Sequence, residues 1–133
     1  KEALDDPFRI KELVKISNNT KDFIVLSGDD PTFFDSMLAG SHGVISVAAN
    51  IFPKEVSSIC SNVLDGNVKE AEKMNLLLSS FYDFLFVESN PIPVKWMLAK
   101  MGKINNAIRL PLTELNETYH NNILSKLKEL EIL

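Results

Sequence analysis

The chain has 133 residues, of which 45% are hydrophobic and 24% are charged, and its formal net charge is −4. This length and composition predict one ordinary globular domain with a real core. The acidic balance argues against nucleic-acid binding, and no apolar run is long enough to cross a bilayer. The single cysteine, Cys60, excludes an internal disulfide and favours the reducing cytoplasm. Its helical neighbours favour a buried structural role over a nucleophilic one.

The first predicted element is an amphipathic helix. Either Asp5 or Asp6 can cap it, and Pro7 suits its first helical position. Apolar residues from Phe8 to Ile16 then recur at helical spacing between charged residues.

A strand–helix–strand unit over residues 23–50 is the element that organises the rest of the chain. Residues 23–26 and 44–47 are short apolar, β-branched runs typical of strands packed on both faces. Asp30 is predicted to cap the helix between them, with Pro31 in its first turn. A crossover of this length gives two parallel neighbouring strands, with function at their carboxyl ends.

The remaining sequence is predicted to be helical. One helix runs from Pro53 to a glycine cap at Gly66, and a long apolar helix follows. Prolines at 91 and 93 break the pattern before a short helix, and Thr113 is predicted to cap the last helix. Two or three strands cannot cover their own edges, so we expect this chain to be the back part of a larger α/β fold.

Three groups of polar or aromatic residues admit a functional interpretation beside a structural one. Asp29 and Asp30 have the pattern of a paired acid/base site, but helix capping is favoured. Trp96 can be interpreted as a cation-binding aromatic, but packing is favoured. His42 and His120 are too isolated to predict a metal site.

Several segments together resemble the dihydrodipicolinate synthase family of class I aldolase-type lyases. They occur in the family's order over essentially the whole chain: Lys1-Glu2, LSGDD at 26–30, GVISV at 43–47, Asn50 with Pro53, NPIPVKW at 90–96 and RLPL at 109–112. The NPIPVKW and RLPL stretches favour the synthase over the related N-acetylneuraminate lyases.

The resemblance implies an α/β fold that is the C-terminal part of an eight-stranded (β/α) barrel, followed by a small helical domain. Lys1 matches the end of the sixth strand, and the runs at 23–26 and 44–47 match the seventh and eighth. Residues 1–66 are then a partial barrel with about three parallel strands, and residues 67–133 are the C-terminal helical domain.

The resemblance also implies the chemistry. Lys1 matches the lysine that forms a Schiff base with pyruvate, whose enamine then attacks aspartate semialdehyde to give hydroxy-tetrahydrodipicolinate. Gly28 would leave room beside this lysine, and Ile45 would line the pyruvate pocket through its backbone carbonyl. No cofactor other than the covalent Schiff base, and no metal, is implied.

The family's proton relay uses two tyrosines and a threonine from the first half of the barrel, and Tyr82 and Tyr119 do not match them. The chain also does not begin with Met, so we expect it to be a truncated synthase that is inactive alone. Open strand edges favour a homo-oligomer or a complementing barrel half as partner. A non-catalytic half-barrel scaffold and a related pyruvate-dependent lyase are the alternatives, and NPIPVKW argues against the second.

Overall fold

Helices make up most of the regular structure in the computed structural model, which describes residues 1–4 and 6–133. The α-helices among these residues are α1 (Pro7–Asn18), α2 (Phe33–Leu38), α3 (Pro53–Leu64), α4 (Val68–Tyr82), α5 (Ile92–Lys100) and α6 (His120–Glu129). Short 3₁₀ turns lie at Ala48–Asn50, Asp83–Leu85 and Glu117–Tyr119. None of the described helices is both long enough and apolar enough to cross a membrane.

The chain divides into two compact units, Lys1–Ser79 and Ser80–Leu133. The division falls inside α4. The boundary predicted after residue 66 would instead lie just before this helix, and it stays a prediction.

Three segments of the first unit run side by side and parallel. Glu2 pairs with Ser27, and Ser27 pairs with Val44, so the segment around Ser27 lies in the middle. The Glu2 N–H donates to the Leu26 carbonyl at 2.9 Å and the Gly28 N–H to the Glu2 carbonyl at 2.8 Å. The predicted parallel orientation is therefore confirmed.

The prediction of full strands at 23–26 and 44–47 is wrong for the described residues, which pair only at single bridges. Side chains accept hydrogen bonds from the backbone N–H groups that would otherwise continue the parallel ladder. The Val25 N–H donates to the His42 ring nitrogen Nδ1 at 3.1 Å. The Val47 N–H donates to Asp30 at 2.9 Å, and Val47 already has helical dihedrals.

One face of these segments packs against α1. Ile10 and Val14 of α1 form a buried cluster with Val25, and Leu13 and Ala39 pack against it. The prediction that residues 23–26 are covered on both faces is wrong, because Phe23 and Ile24 are about half exposed. The α1 side of the middle segment is thus covered at Val25, while the start of the segment stays open to solvent.

The predicted helix caps are partly correct. Asp6 caps α1 by accepting the Phe8 N–H at 2.9 Å, while Asp5 lies outside the described residues. Gly66 ends α3 in a left-handed conformation, with φ of +79°. Thr113 does not cap the last helix. Instead, Asn116 caps the 3₁₀ turn that leads into α6, by accepting the Thr118 N–H at 2.9 Å.

Candidate active site

The parallel register places the three predicted site residues on one face of the bridged segments. Side chains alternate between the two faces of extended backbone. Each predicted residue is one position away from a bridged residue, so all three lie on the face opposite to the bridged side chains: Lys1, Gly28 and Ile45. The structure therefore brings them to the same surface.

Gly28 lies directly against the Lys1 side chain. A Cβ atom added to Gly28 would overlap Lys1 Cε and would lie 3.0 Å from Lys1 Cγ and from Ala3 Cβ. The backbone of Gly28 does not require a glycine conformation, since its φ is outside the positive range. The absence of a side chain at this position is what leaves space for the lysine.

Ile45 lies on the same face but on the third segment. Its N–H donates to the Ser27 carbonyl at 2.8 Å, which fixes its backbone against the middle segment. Two strand spacings separate it from the Lys1 segment, or about 10 Å. Its side chain is 52% exposed, so this face is open to solvent among the described residues.

Asp30 is buried beside these segments and does not cap α2, which begins at Phe33. Its side chain is only 1% exposed. It accepts hydrogen bonds from the Ser46 hydroxyl, from the Val47 N–H at 2.9 Å and from the Ala48 N–H at 3.1 Å. The carboxylate therefore holds the loop that follows Ile45, and the capping prediction for Asp30 is wrong.

Burial raises the pKa of Asp30 above its ordinary value of 3.8. The hydrogen bonds from Ser46, Ala48 and Val47 oppose this effect by stabilising the charged form. The negative charge of the neighbouring Asp29 adds to the increase.

Asp29 faces a different set of partners from Asp30. Its carboxylate accepts from the Thr32 N–H at 3.1 Å and from the Thr32 hydroxyl at 2.6 Å, just before α2 begins. These bonds hold the turn before α2, whose N-cap is Thr32 and has no side-chain hydrogen bond, so the capping prediction for Asp29 is wrong as well. The two carboxylates thus bind separate segments, which does not support a paired acid/base site.

A cavity of about 200 Å³ lies between Lys1, α1 and residues 23–25. Its lining residues are Lys1, Glu2, Arg9, Leu13, Phe23, Ile24 and Val25. Glu2 forms a salt bridge with Arg9, at 3.3 Å between Oε2 and Nε. Hydrogen bonding from the Leu4 N–H and the nearby Arg9 hold the pKa of Glu2 below its ordinary value, so it stays ionised beside Lys1.

The contacts of Trp96, the predicted alternative cation-binding residue, indicate a structural role. Trp96 is 3% exposed and stacks on His120, with ring centroids 4.4 Å apart. The cation over its ring is Lys100, at 5.2 Å from the centroid, so the tryptophan serves packing within the second unit. The described residues contain no cluster of three metal-ligating side chains.

Cys60 is partly buried in α3. Burial raises the pKa of its thiol above the ordinary value, which keeps it protonated at neutral pH. The structural interpretation therefore fits, although the side chain is less buried than we expect from its neighbours.

Comparison with known proteins shows the family of this chain. The model of the dihydrodipicolinate synthetase family matches residues 1–130. Among curated proteins, 4-hydroxy-tetrahydrodipicolinate synthase from Coxiella burnetii (strain Dugway 5J108-111) is 51% identical over 132 residues, which cover 99% of this chain and 44% of that protein.

Solved structures of the same family are also similar. Dihydrodipicolinate synthase from Acinetobacter baumannii, complexed with pyruvate, has a TM-score of 0.93 at 42% identity. The synthase from Thermotoga maritima has a TM-score of 0.95 at 38% identity. Each comparison covers 100% of this chain and 45% of the solved one. The chain therefore spans less than half the length of these relatives.

Proposed function

The chain belongs to the dihydrodipicolinate synthetase family, and we propose that it is the lysine-bearing, C-terminal portion of a 4-hydroxy-tetrahydrodipicolinate synthase. In this proposal residues 1–66 complete one side of a (β/α) barrel and residues 67–133 are its helical domain. The parallel order of the segments around Glu2, Ser27 and Val44 supports this assignment. The single cysteine is in keeping with a cytoplasmic enzyme.

Lys1 is the proposed nucleophile. Its Nζ amine attacks the ketone carbon of pyruvate, and loss of water gives the Schiff base. Removal of a methyl proton then gives an enamine, whose carbon forms the new bond to the aldehyde carbon of aspartate semialdehyde. The packing of Lys1 against Gly28 is the observation that carries the proposal, because it gives the glycine a specific reason to lie there. No cofactor is needed, since the lysine itself supplies the electron sink.

Ile45 is proposed to border the pyruvate site. It lies on the same face as Lys1 and Gly28, and its backbone is held by the Ser27 carbonyl at 2.8 Å. The pyruvate complex of the Acinetobacter baumannii relative, at 42% identity, supports pyruvate as the first substrate.

We propose that the chain does not catalyse the full condensation by itself. Tyr82 and Tyr119 both belong to the second unit and do not match the family's relay tyrosines. General acid–base groups contribute about 10²–10⁴-fold to such reactions, so their loss leaves little turnover. The half-exposed Phe23, Ile24 and Ile45 favour a homo-oligomer or a complementing barrel half as partner.

Borohydride trapping tests the proposal. The chain is incubated with pyruvate, reduced, and analysed by tandem mass spectrometry. We expect an adduct on Nζ of Lys1. The matched control is Lys1→Arg, which keeps the positive charge, so any adduct on that variant lies on another amine of the chain. Equal modification of both proteins would contradict the assignment of Lys1.

Light scattering of the same sample tests the partner proposal. A symmetric oligomer without any Nζ adduct would favour the scaffold alternative over retained Schiff-base chemistry.

A further inference from the structure

We propose that Asp30 is a positioning residue that fixes the Ile45 segment against the Gly28 segment and so sets the width of the site beside Lys1. The link to pyruvate rests on the proposed function. The positioning itself stands on contacts within the first unit and can be tested without any substrate.

The three donors to Asp30 directly follow Ile45 in sequence. They are the Ser46 hydroxyl, the Val47 N–H at 2.9 Å and the Ala48 N–H at 3.1 Å. Asp30 itself is two residues after Gly28. A single carboxylate therefore joins the chain just beyond Gly28 to the chain just beyond Ile45.

Asp30 acts where the backbone pairing stops. The Ile45 N–H still donates to the Ser27 carbonyl, but Val47 has φ of −75° and ψ of −41° and cannot continue a strand. Without a further ladder bond, the position of the Ile45 carbonyl depends on how the next residues are held. The Asp30 carboxylate holds these next residues, Ser46, Val47 and Ala48, through hydrogen bonds.

Ser46 strengthens this attachment. Its hydroxyl donates to Asp30 and also accepts the Ala49 N–H at 2.9 Å. The loop is thereby fixed to the carboxylate through side-chain and backbone groups together.

The burial of Asp30 has an energetic cost that a purely packing residue would avoid. The carboxylate is 1% exposed, and no salt bridge in the described part of the chain joins it to a lysine or arginine. A buried charge without a counter-ion is retained only when hydrogen bonds compensate it. The compensating donors here all come from the segment that borders the proposed site.

Amide hydrogen exchange on the full chain tests the positioning directly, with Asp30→Asn compared against Asp29→Asn. We expect exchange at Val47 and Ala48 to accelerate at least about tenfold in Asp30→Asn, because their N–H groups lose a charged acceptor. Exchange at Ile45, whose N–H donates to the Ser27 carbonyl, should accelerate with them because its segment is no longer held by the carboxylate. Exchange at Ile59, a fully buried residue of α3, should stay within about threefold of the unmodified chain. Asp29→Asn should not change exchange at the three loop amides.

An equal rise at Ile59 and at the loop would mean that Asp30 acts only on global stability, and would overturn the proposal. Accelerated exchange at Val47 and Ala48 with unchanged exchange at Ile45 would also overturn the proposal. If Asp30→Asn does not fold, Ser46→Ala, which removes one donor only, takes its place and should accelerate the same amides about threefold or more.

Pyruvate trapping extends the test to the site. We expect the half-saturating pyruvate concentration of Asp30→Asn to rise about tenfold, with the maximal trapping rate nearly unchanged. An unchanged half-saturating concentration in a folded variant would overturn the role beside Lys1. Failure of the unmodified chain to trap pyruvate would count against the proposed function, while the exchange result still decides the positioning.

Discussion

The Lys1 side chain occupies the space that a side chain on Gly28 would need. A Cβ at Gly28 would overlap Lys1 Cε and would lie 3.0 Å from Lys1 Cγ. The two residues are far apart in sequence, and only the parallel pairing of their segments brings them together. A change at Gly28 is therefore expected to alter the position of the Lys1 side chain in the proposed site.

Gly28→Ala should displace the Lys1 side chain. We expect pyruvate trapping to fall at least about tenfold, since small misplacements of a reacting group have effects of this size or larger. The rate of borohydride-trapped adduct formation is the measurement.

The matched control for this change is Gly66→Ala. A Cβ at Gly66 meets nothing within 4 Å, although its φ of +79° makes the substitution cost about 1 kcal/mol of stability. Trapping should be unchanged in that variant. A similar loss of trapping in both would show that destabilisation, not the position of Lys1, is responsible.

Ile10→Ala should destabilise the chain strongly. Ile10 is 2% exposed and packs with Val14 and Val25, so truncation leaves a cavity and costs about 2–5 kcal/mol of the free energy of unfolding. Ile16→Ala on the same helix is the control, because Ile16 is 56% exposed and its truncation should cost about 0.5 kcal/mol or less. Urea titration followed by circular dichroism compares them, and equal costs would contradict the assigned core.

Asp30 should make the folded state less stable as the pH rises. Its folded pKa is raised above 3.8, so between the unfolded and folded pKa values the folded chain binds more protons. The contribution of protonated Asp30 to the free energy of unfolding is complete below the pKa that Asp30 has in the unfolded chain. It is lost as the pH rises through the pKa that Asp30 has in the folded chain.

The measurement is the free energy of unfolding of the unmodified chain minus that of Asp30→Asn, determined at several pH values across the acidic range. Glu2, whose pKa is lowered, has the opposite pH dependence but is present in both proteins and cancels. A difference that does not decrease with rising pH would contradict the raised pKa of Asp30.

His120 should stabilise the second unit through its stack on Trp96. His120→Ala removes this contact, worth about 0.5–1.5 kcal/mol, and the Nε2–H hydrogen bond to the Leu115 carbonyl at 3.1 Å. His120→Phe keeps a stacked ring and loses only the hydrogen bond, so it should cost less. Because Trp96 is the only tryptophan, its fluorescence during urea unfolding reports on both variants; an equal loss in the two would argue that the stack contributes nothing.

Features that depend on near neighbours in the chain were predictable from the sequence. The Asp6 cap of α1 and the glycine at the end of α3 each involve groups within a few residues, so the sequence pattern contains both partners. The family assignment is of the same kind, because it rests on short segments in a fixed order. The strand prediction was wrong because the His42 ring, 17 residues from Val25, takes a backbone group that the ladder would use.

The sequence by itself determined the family, most of the helices and the identity of Lys1, Gly28 and Ile45 as candidates. Tertiary structure alone decided which groups meet: Gly28 against Lys1, and Asp30 with the loop after Ile45. Asp30 followed by proline has the pattern of a helix cap, but its donors lie 16 to 18 residues away. A buried carboxylate binds whichever unpaired N–H groups the fold places beside it, and no local pattern names those groups in advance.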